Sequence, residues 1–124
     1  MSFDEHLADR VRERLGGIGG ITELKMFGGW GVTIHGNMAV GVMDSDLIVR
    51  VGPDAYEAAL KRVGSRPFDF TGRAMTGWVF VDGTAVATAR TLDRWVTMGV
   101  SFAQSLPAKR AKPRPRRNTT RPRR

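Results

Sequence analysis

Phe3, Leu7, Val11 and Leu15 recur every four residues, with Ala8 beside them. That spacing puts one apolar stripe along a helix. Ser2 and Glu5 stand three apart at its start, which predicts a capping box with Ser2 as N-cap. Gly16-Gly17-Ile18-Gly19-Gly20 ends the helix. The period then changes from four to two. Ile21 to Phe27 alternates moderately, and Trp30, Val32 and Ile34 alternate with Gly31, Thr33 and His35. Gly36-Asn37 predicts a two-residue turn with positive φ. Met38, Val40 and Val42 share one face of the returning strand. After Asp44-Ser45-Asp46, Leu47, Val49 and Val51 alternate with Ile48 and Arg50. The whole reads as an antiparallel meander.

Helical spacing returns at Tyr56, Ala59, Leu60 and Val63, with Pro53 suited to a first turn and Gly64 as the stop. Phe68-Asp69-Phe70 predicts a short strand, Thr71-Gly72-Arg73 a loop, Trp78 to Val81 a further strand, and Asp82-Gly83 a turn. Thr91 is the expected cap of a last helix, with Asp93 in its first turn. The inner face of that helix is expected to carry Leu92, Trp95, Val96, Gly99, Phe102 and Leu106, with Gly99 marking close packing on the sheet. Pro107 closes the folded part. No internal repeat is present. The expected class is α+β, a two-layer α-β-β-β-α-β-β-α domain with a mainly antiparallel sheet. It spans residues 1–106, and a basic extension follows at 107–124.

Composition sharpens that division. The 124 residues are one domain's worth. The net charge of +8 is not spread evenly. Residues 109–124 hold nine Lys/Arg and no acid, while residues 1–108 hold eleven Lys/Arg against twelve Asp/Glu, a net of −1. There is no cysteine, so disulfides, thiolate metal sites and cysteine nucleophiles are excluded. The start of the chain does not read as a signal peptide, and no apolar run approaches the ~18 residues of a membrane span. A soluble, cytoplasmic protein is expected, and the Asn118-Thr119-Thr120 sequon carries no weight there.

Candidate chemistry is sparse. His6 shares a helix face with Asp9 and Glu13, a spacing that can hold a metal. Arg10 and Arg14 on the same helix favour an ordinary solvated face instead. His35 sits beside a turn with no adjacent acid or second histidine to form a dyad. None of the five serines lies in a Gly-x-Ser-x-Gly elbow. Gly16 to Gly20 follows a helix rather than a strand and lacks a Lys-Ser/Thr ending. Gly28-Gly29-Trp30-Gly31 lies between strands. Both clusters therefore read as bends or close-packing points rather than phosphate loops. Trp30, Trp78 and Trp95 read as core or edge aromatics. No catalytic residue, metal site or cofactor is expected.

The extension is the sharpest local feature. Lys109, Arg110, Lys112, Arg114, Arg116, Arg117, Arg121, Arg123 and Arg124 stand among prolines, with no large apolar residue from Ala108 onward. Such a segment cannot bury enough surface to fold by itself, so disorder is expected. Its prolines favour an extended path that can follow a phosphate backbone. These nine cations are the expected nucleic-acid contacts. The bland alternative is a solubilising tail. A membrane is disfavoured, because no apolar anchor accompanies the charge.

At Lys25-Met26-Phe27-Gly28-Gly29-Trp30-Gly31 the chain resembles the TfoX/Sxy family, specifically its N-terminal domain. The resemblance continues through Gly36-Asn37-Met38, Leu47-Ile48-Val49-Arg50-Val51 and Pro67-Phe68-Asp69-Phe70-Thr71-Gly72, and spans roughly residues 5 to 105. It implies a fold of helix, three strands, helix, two strands, helix. It gives Met26, Phe27, Gly28, Gly29 and Gly31 as a structural family motif. It also implies a link to regulation of DNA-uptake competence genes, where better-known members act as transcriptional co-activators. Those members carry a second, C-terminal domain; here a basic segment follows. The end of the second strand pair also differs, reading Trp78-Val79-Phe80-Val81-Asp82-Gly83. The resemblance supplies no catalytic or ligand residue.

The function expected is that of a non-enzymatic regulatory or DNA-associated accessory protein. The folded domain would meet a protein partner, and the tail would meet nucleic acid. The alternative is a protein-interaction or chaperone-like module whose tail only keeps it in solution. The oligomeric state stays open, a dimer included.

Overall fold

The computed structural model describes residues 3–26, 28–69 and 72–108. Helix α1 covers Glu5–Arg14, followed by strands β1 Ile21–Met26, β2 Gly29–Ile34, β3 Asn37–Met43 and β4 Asp46–Arg50. A short helix α2 (Tyr56–Leu60) leads to β5 Ser65–Pro67 and β6 Trp78–Val81. A 3-10 turn at Gly83–Val86 then feeds α3, Ala89–Ser105. All strand pairs are antiparallel, in the order β1-β2-β3-β4-β6-β5. The α+β class therefore holds. The sheet has six strands, one more than the expected α-β-β-β-α-β-β-α order and the family resemblance give. Gly28, at φ 78°, splits the run from Ile21 to Ile34 into two paired strands.

Alternation sorts the sheet into two faces. Val32, Val40, Val42, Leu47, Val49, Val79 and Val81 are wholly buried in the main core, with Leu7, Ala8, Val11 and Leu15 of the α1 segment and Leu92, Trp95 and Val96 of α3. The residues between them, Ile48 and Phe80, point the other way. With Met43 and Phe68 they form a second, smaller buried cluster, and Trp78 packs on its margin. Phe68 is 4.8 Å from Phe80 and 6.0 Å from Trp78 between ring centroids, which suits tilted aromatic contacts.

Several local expectations shift by a turn or less, each for an identifiable reason. The cap of α1 is Asp4, whose Oδ1 accepts the Leu7 N–H at 3.1 Å. Asp4 is tied in place by its own N–H, which donates to the Asp44 carbonyl at 2.6 Å. The positive-φ turn between β2 and β3 is His35-Gly36 (51° and 85°), not Gly36-Asn37. Asn37 is drawn into β3 and buried, where its Nδ2 donates to the Pro107 carbonyl at 2.9 Å. α2 ends at Leu60, and Gly64 at φ 85° turns the chain, which leaves Val63 88% exposed rather than on an inner face. The penultimate strand is Ser65–Pro67, one step before the expected Phe68-Asp69-Phe70.

α3 starts at Ala89 with Thr88 as its cap, because the Thr88 Oγ1 accepts the Thr91 N–H at 3.3 Å. Thr91 and Asp93 are therefore inside the helix rather than at its cap and first turn. Its buried stripe is Leu92, Trp95, Val96, Gly99, Val100 and Ala103. Phe102 and Leu106 are only half-buried. Gly99 does mark close packing: a Cβ there would lie 2.5 Å from the Ala39 carbonyl oxygen.

Candidate functional site

The family-motif residues gather at the β1–β2 edge of the sheet. Met26 ends β1, Gly28 supplies the turn, and Gly29 and Gly31 open β2 with ordinary strand backbone. Phe27 lies outside the described residues. Only Gly28 needs its glycine for backbone sign. Gly31 serves another purpose. It faces Gly41 directly in register, and a Cβ on Gly41 would lie 2.7 Å from the Trp30 carbonyl oxygen. The glycine pair lets neighbouring backbones and the Met38 methyl close over this patch.

Trp30 points to the opposite face and is 3% exposed. Its indole Nε1 donates to Glu23 Oε1 at 2.9 Å, across the β1–β2 pair. Arg12 of α1 completes the arrangement. Its guanidinium lies 4.9 Å from the Trp30 ring and donates to both Glu23 carboxylate oxygens at 3.0–3.1 Å. Its Nη1 also donates to Asp9 Oδ1 at 2.6 Å. The Arg12 guanidinium, joined by the Trp30 N–H, holds the Glu23 carboxyl below its ordinary range. Glu23 in turn raises Arg12. A buried indole N–H needs a partner, and this one gets a charge-assisted bond to Glu23, whose pairing with Arg12 ties α1 to the sheet. No local pattern in the sequence marks this network. Arg12, Glu23 and Trp30 are 7 to 18 residues apart and only the register unites them.

The sign of its pH dependence follows. Because the folded-state pKa of Glu23 is lowered, the stabilisation is complete above the ordinary glutamate range and fades as pH falls through the lowered value. Both partners are substantially exposed, so it amounts to about 0.2–1 kcal/mol. Glu23→Gln is expected to lower the melting temperature slightly at about pH 7 and to lower it less at about pH 3, below the ordinary glutamate range. An equal loss at both values would mean that packing, not charge, makes the contribution.

The other sequence candidates take structural places. His6 is exposed. Asp9 is engaged by Arg12, Glu13 lies 3.7 Å from Arg14, and among the described residues no group of three His, Asp or Glu is placed to hold a metal. The His35 N–H donates to the Gly20 carbonyl at 2.9 Å, and its ring packs where a Gly20 side chain would be. Arg10 donates to the Val86 and Ala87 carbonyls, and Arg14 pairs with Asp93. These contacts clamp α1 to the 3-10 turn and to α3. The nine basic residues from Lys109 to Arg124 lie outside the described residues. The last described anchor before them is the Pro107 carbonyl, held by buried Asn37.

These features define a small two-layer α+β domain, with its helices on one face of an antiparallel sheet and a basic segment beyond α3. The model of the TfoX N-terminal domain matches residues 13–103, and the chain belongs to that family, which is of the competence-regulator type. Comparison with curated proteins and with solved structures gave no match. No described helix is long and apolar enough to cross a membrane.

Proposed function

We propose that this chain is a non-enzymatic regulatory accessory protein whose basic C-terminal segment gives it sequence-independent affinity for nucleic acid. One observation carries the reading: a nearly neutral domain of a regulatory family is followed by sixteen residues with nine cations and no acid. A charge so concentrated on a proline-rich segment fits a phosphate backbone, and phosphate contacts carry no sequence information. The folded domain remains available for a protein partner.

The test is fluorescence anisotropy with several unrelated duplexes over a range of salt. It compares the full chain with a full-length variant in which the nine tail cations are glutamine. If about six of them meet phosphates, log K is expected to fall against log salt with a slope near −5, and affinity to lie at about 10⁻⁴–10⁻⁶ M at physiological salt. The variant is expected to lose most of that slope. Binding by neither protein, even at low salt, would leave the tail as a solubilising extension and favour a protein-interaction module. Strong preference for one duplex would refute the sequence-independent mode.

A further inference from the structure

Eight of the eleven Lys/Arg in residues 1–108 fall into two groups, and Lys25, Arg50 and Arg73 belong to neither. Arg10, Arg12, Arg14 and Arg66 are spent on carboxylates or carbonyls of the domain itself. Lys61, Arg62, Arg90 and Arg94 form no ion pair among the described residues and together line one cleft of about 590 Å³. None of the residues lining it is acidic. Lys61 and Arg62 enter from the end of α2, and Arg90 and Arg94 from the first two turns of α3. Trp95, 1% exposed, backs the cleft, and the Arg62 guanidinium lies 5.8 Å from its ring.

Folding alone does not account for this grouping. Lys61 and Arg62 have a local reason, since cations suit a helix C-terminus. Arg90 has the opposite: it lies in the first turn of a 17-residue helix, where the macrodipole is positive and that turn holds no acid. Arg90 and Arg94 are also like charges four apart on one helix face, a spacing that destabilises. Four mutually repelling cations around a concave, partly apolar surface are a cost that an anion would relieve. The dipole, the guanidinium forks and the cleft would then act together on one charge.

We propose that this cleft is a phosphate-binding site of the folded domain, which engages either the backbone of a nucleic acid or a free phosphorylated ligand. It deepens the nucleic-acid reading by adding a fixed contact to the tail's diffuse one. The cleft does not require the tail to bind.

The experiment uses full-length protein labelled for amide NMR, titrated with inorganic pyrophosphate and, separately, with a short duplex. Three full-length variants accompany it. The first carries Lys61→Gln, Arg62→Gln, Arg90→Gln and Arg94→Gln. The second carries Arg62→Lys and Arg94→Lys, which keep the charge. The third is the tail variant described above. The expected result is saturable shifts of amides at residues 61–63 and 90–95, abolished in the four-glutamine protein, weakened but present in the lysine protein, and retained in the tail variant. Response to both probes or to the duplex alone assigns a nucleic-acid backbone. Response to pyrophosphate alone assigns a small phosphorylated ligand. If the duplex is the source, the four-glutamine protein is expected to show a salt slope shallower by about 1 per cation that meets phosphate. Two results would overturn the cleft: no shift at these amides with either probe, or equal shifts from sodium chloride at matched ionic strength. Either would leave the tail reading standing, since only the tail variant tests that. Retained amide dispersion and melting temperature in the four-glutamine protein separate lost binding from lost fold.

Discussion

Trp95→Ala is expected to bring the domain close to its unfolding midpoint at ambient temperature. Trp95 is 1% exposed and among the largest fully buried side chains, on the stripe of α3 that lies on β3 and β4. Removing a buried tryptophan typically costs about 3–5 kcal/mol, through lost transfer energy and the cavity left behind. Whole domains are stable by only about 5–15 kcal/mol. For a domain of this size each 1 kcal/mol moves the melting temperature by about 4–8 °C, so a fall of well over 10 °C is expected. Circular dichroism melts of Trp95→Ala and Trp95→Phe would measure it, the phenylalanine losing less. A fall under about 5 °C for alanine would show that the neighbouring side chains collapse into the space and that Trp95 is no keystone of the core.

Gly99→Val is expected to rank second. The first carbon of any side chain at this position would meet the Ala39 carbonyl oxygen at 2.5 Å and Val40 Cγ1 at 2.8 Å. The first neighbour is backbone in the middle of β3 and cannot swing aside. α3 would have to lift from the sheet, and overpacking of this kind costs about 1–3 kcal/mol, at the upper end for a branched side chain. Gly16→Ala is the control: its Cβ would meet only the Glu13 carbonyl oxygen at 3.6 Å, at ordinary φ. Denaturant titrations are expected to move the midpoint strongly for Gly99→Val and little for Gly16→Ala. Comparable midpoints would mean that α3 rides on the sheet with room to spare.

Much of the cleft's logic depends on where α3 begins. Read as a sequence, Thr91 as cap would put Asp93 in the first turn, favourably placed at the positive end of the dipole. The helix instead starts at Ala89, so Arg90 takes that place and Asp93 moves one turn in to meet Arg14. Two threonines three apart offered the same capping chemistry. With Thr88 as the cap, Asp93 lies one turn into α3, where Arg14 of α1 meets it.

The α+β class, the family, the apolar stripe of α1 and the charge boundary near residue 108 are legible in the chain without its fold. The family rests on the motif from Lys25 to Gly31; the rest follow from periodicity and composition, which act over a few residues and need no partner. The sequence also marked Gly99, because a glycine on an apolar helix face has few other uses. Only the tertiary structure decided which residues of α3 turn inward, that Val63 is left in water, and that Asn37 is buried against Pro107. The same holds for the Arg12–Glu23–Trp30 network and for the cleft that gathers Lys61, Arg62, Arg90 and Arg94. The physical reason is common to all of them. Each depends on the register of one element against another, and register is set by whole-domain packing rather than by the local pattern of any one segment.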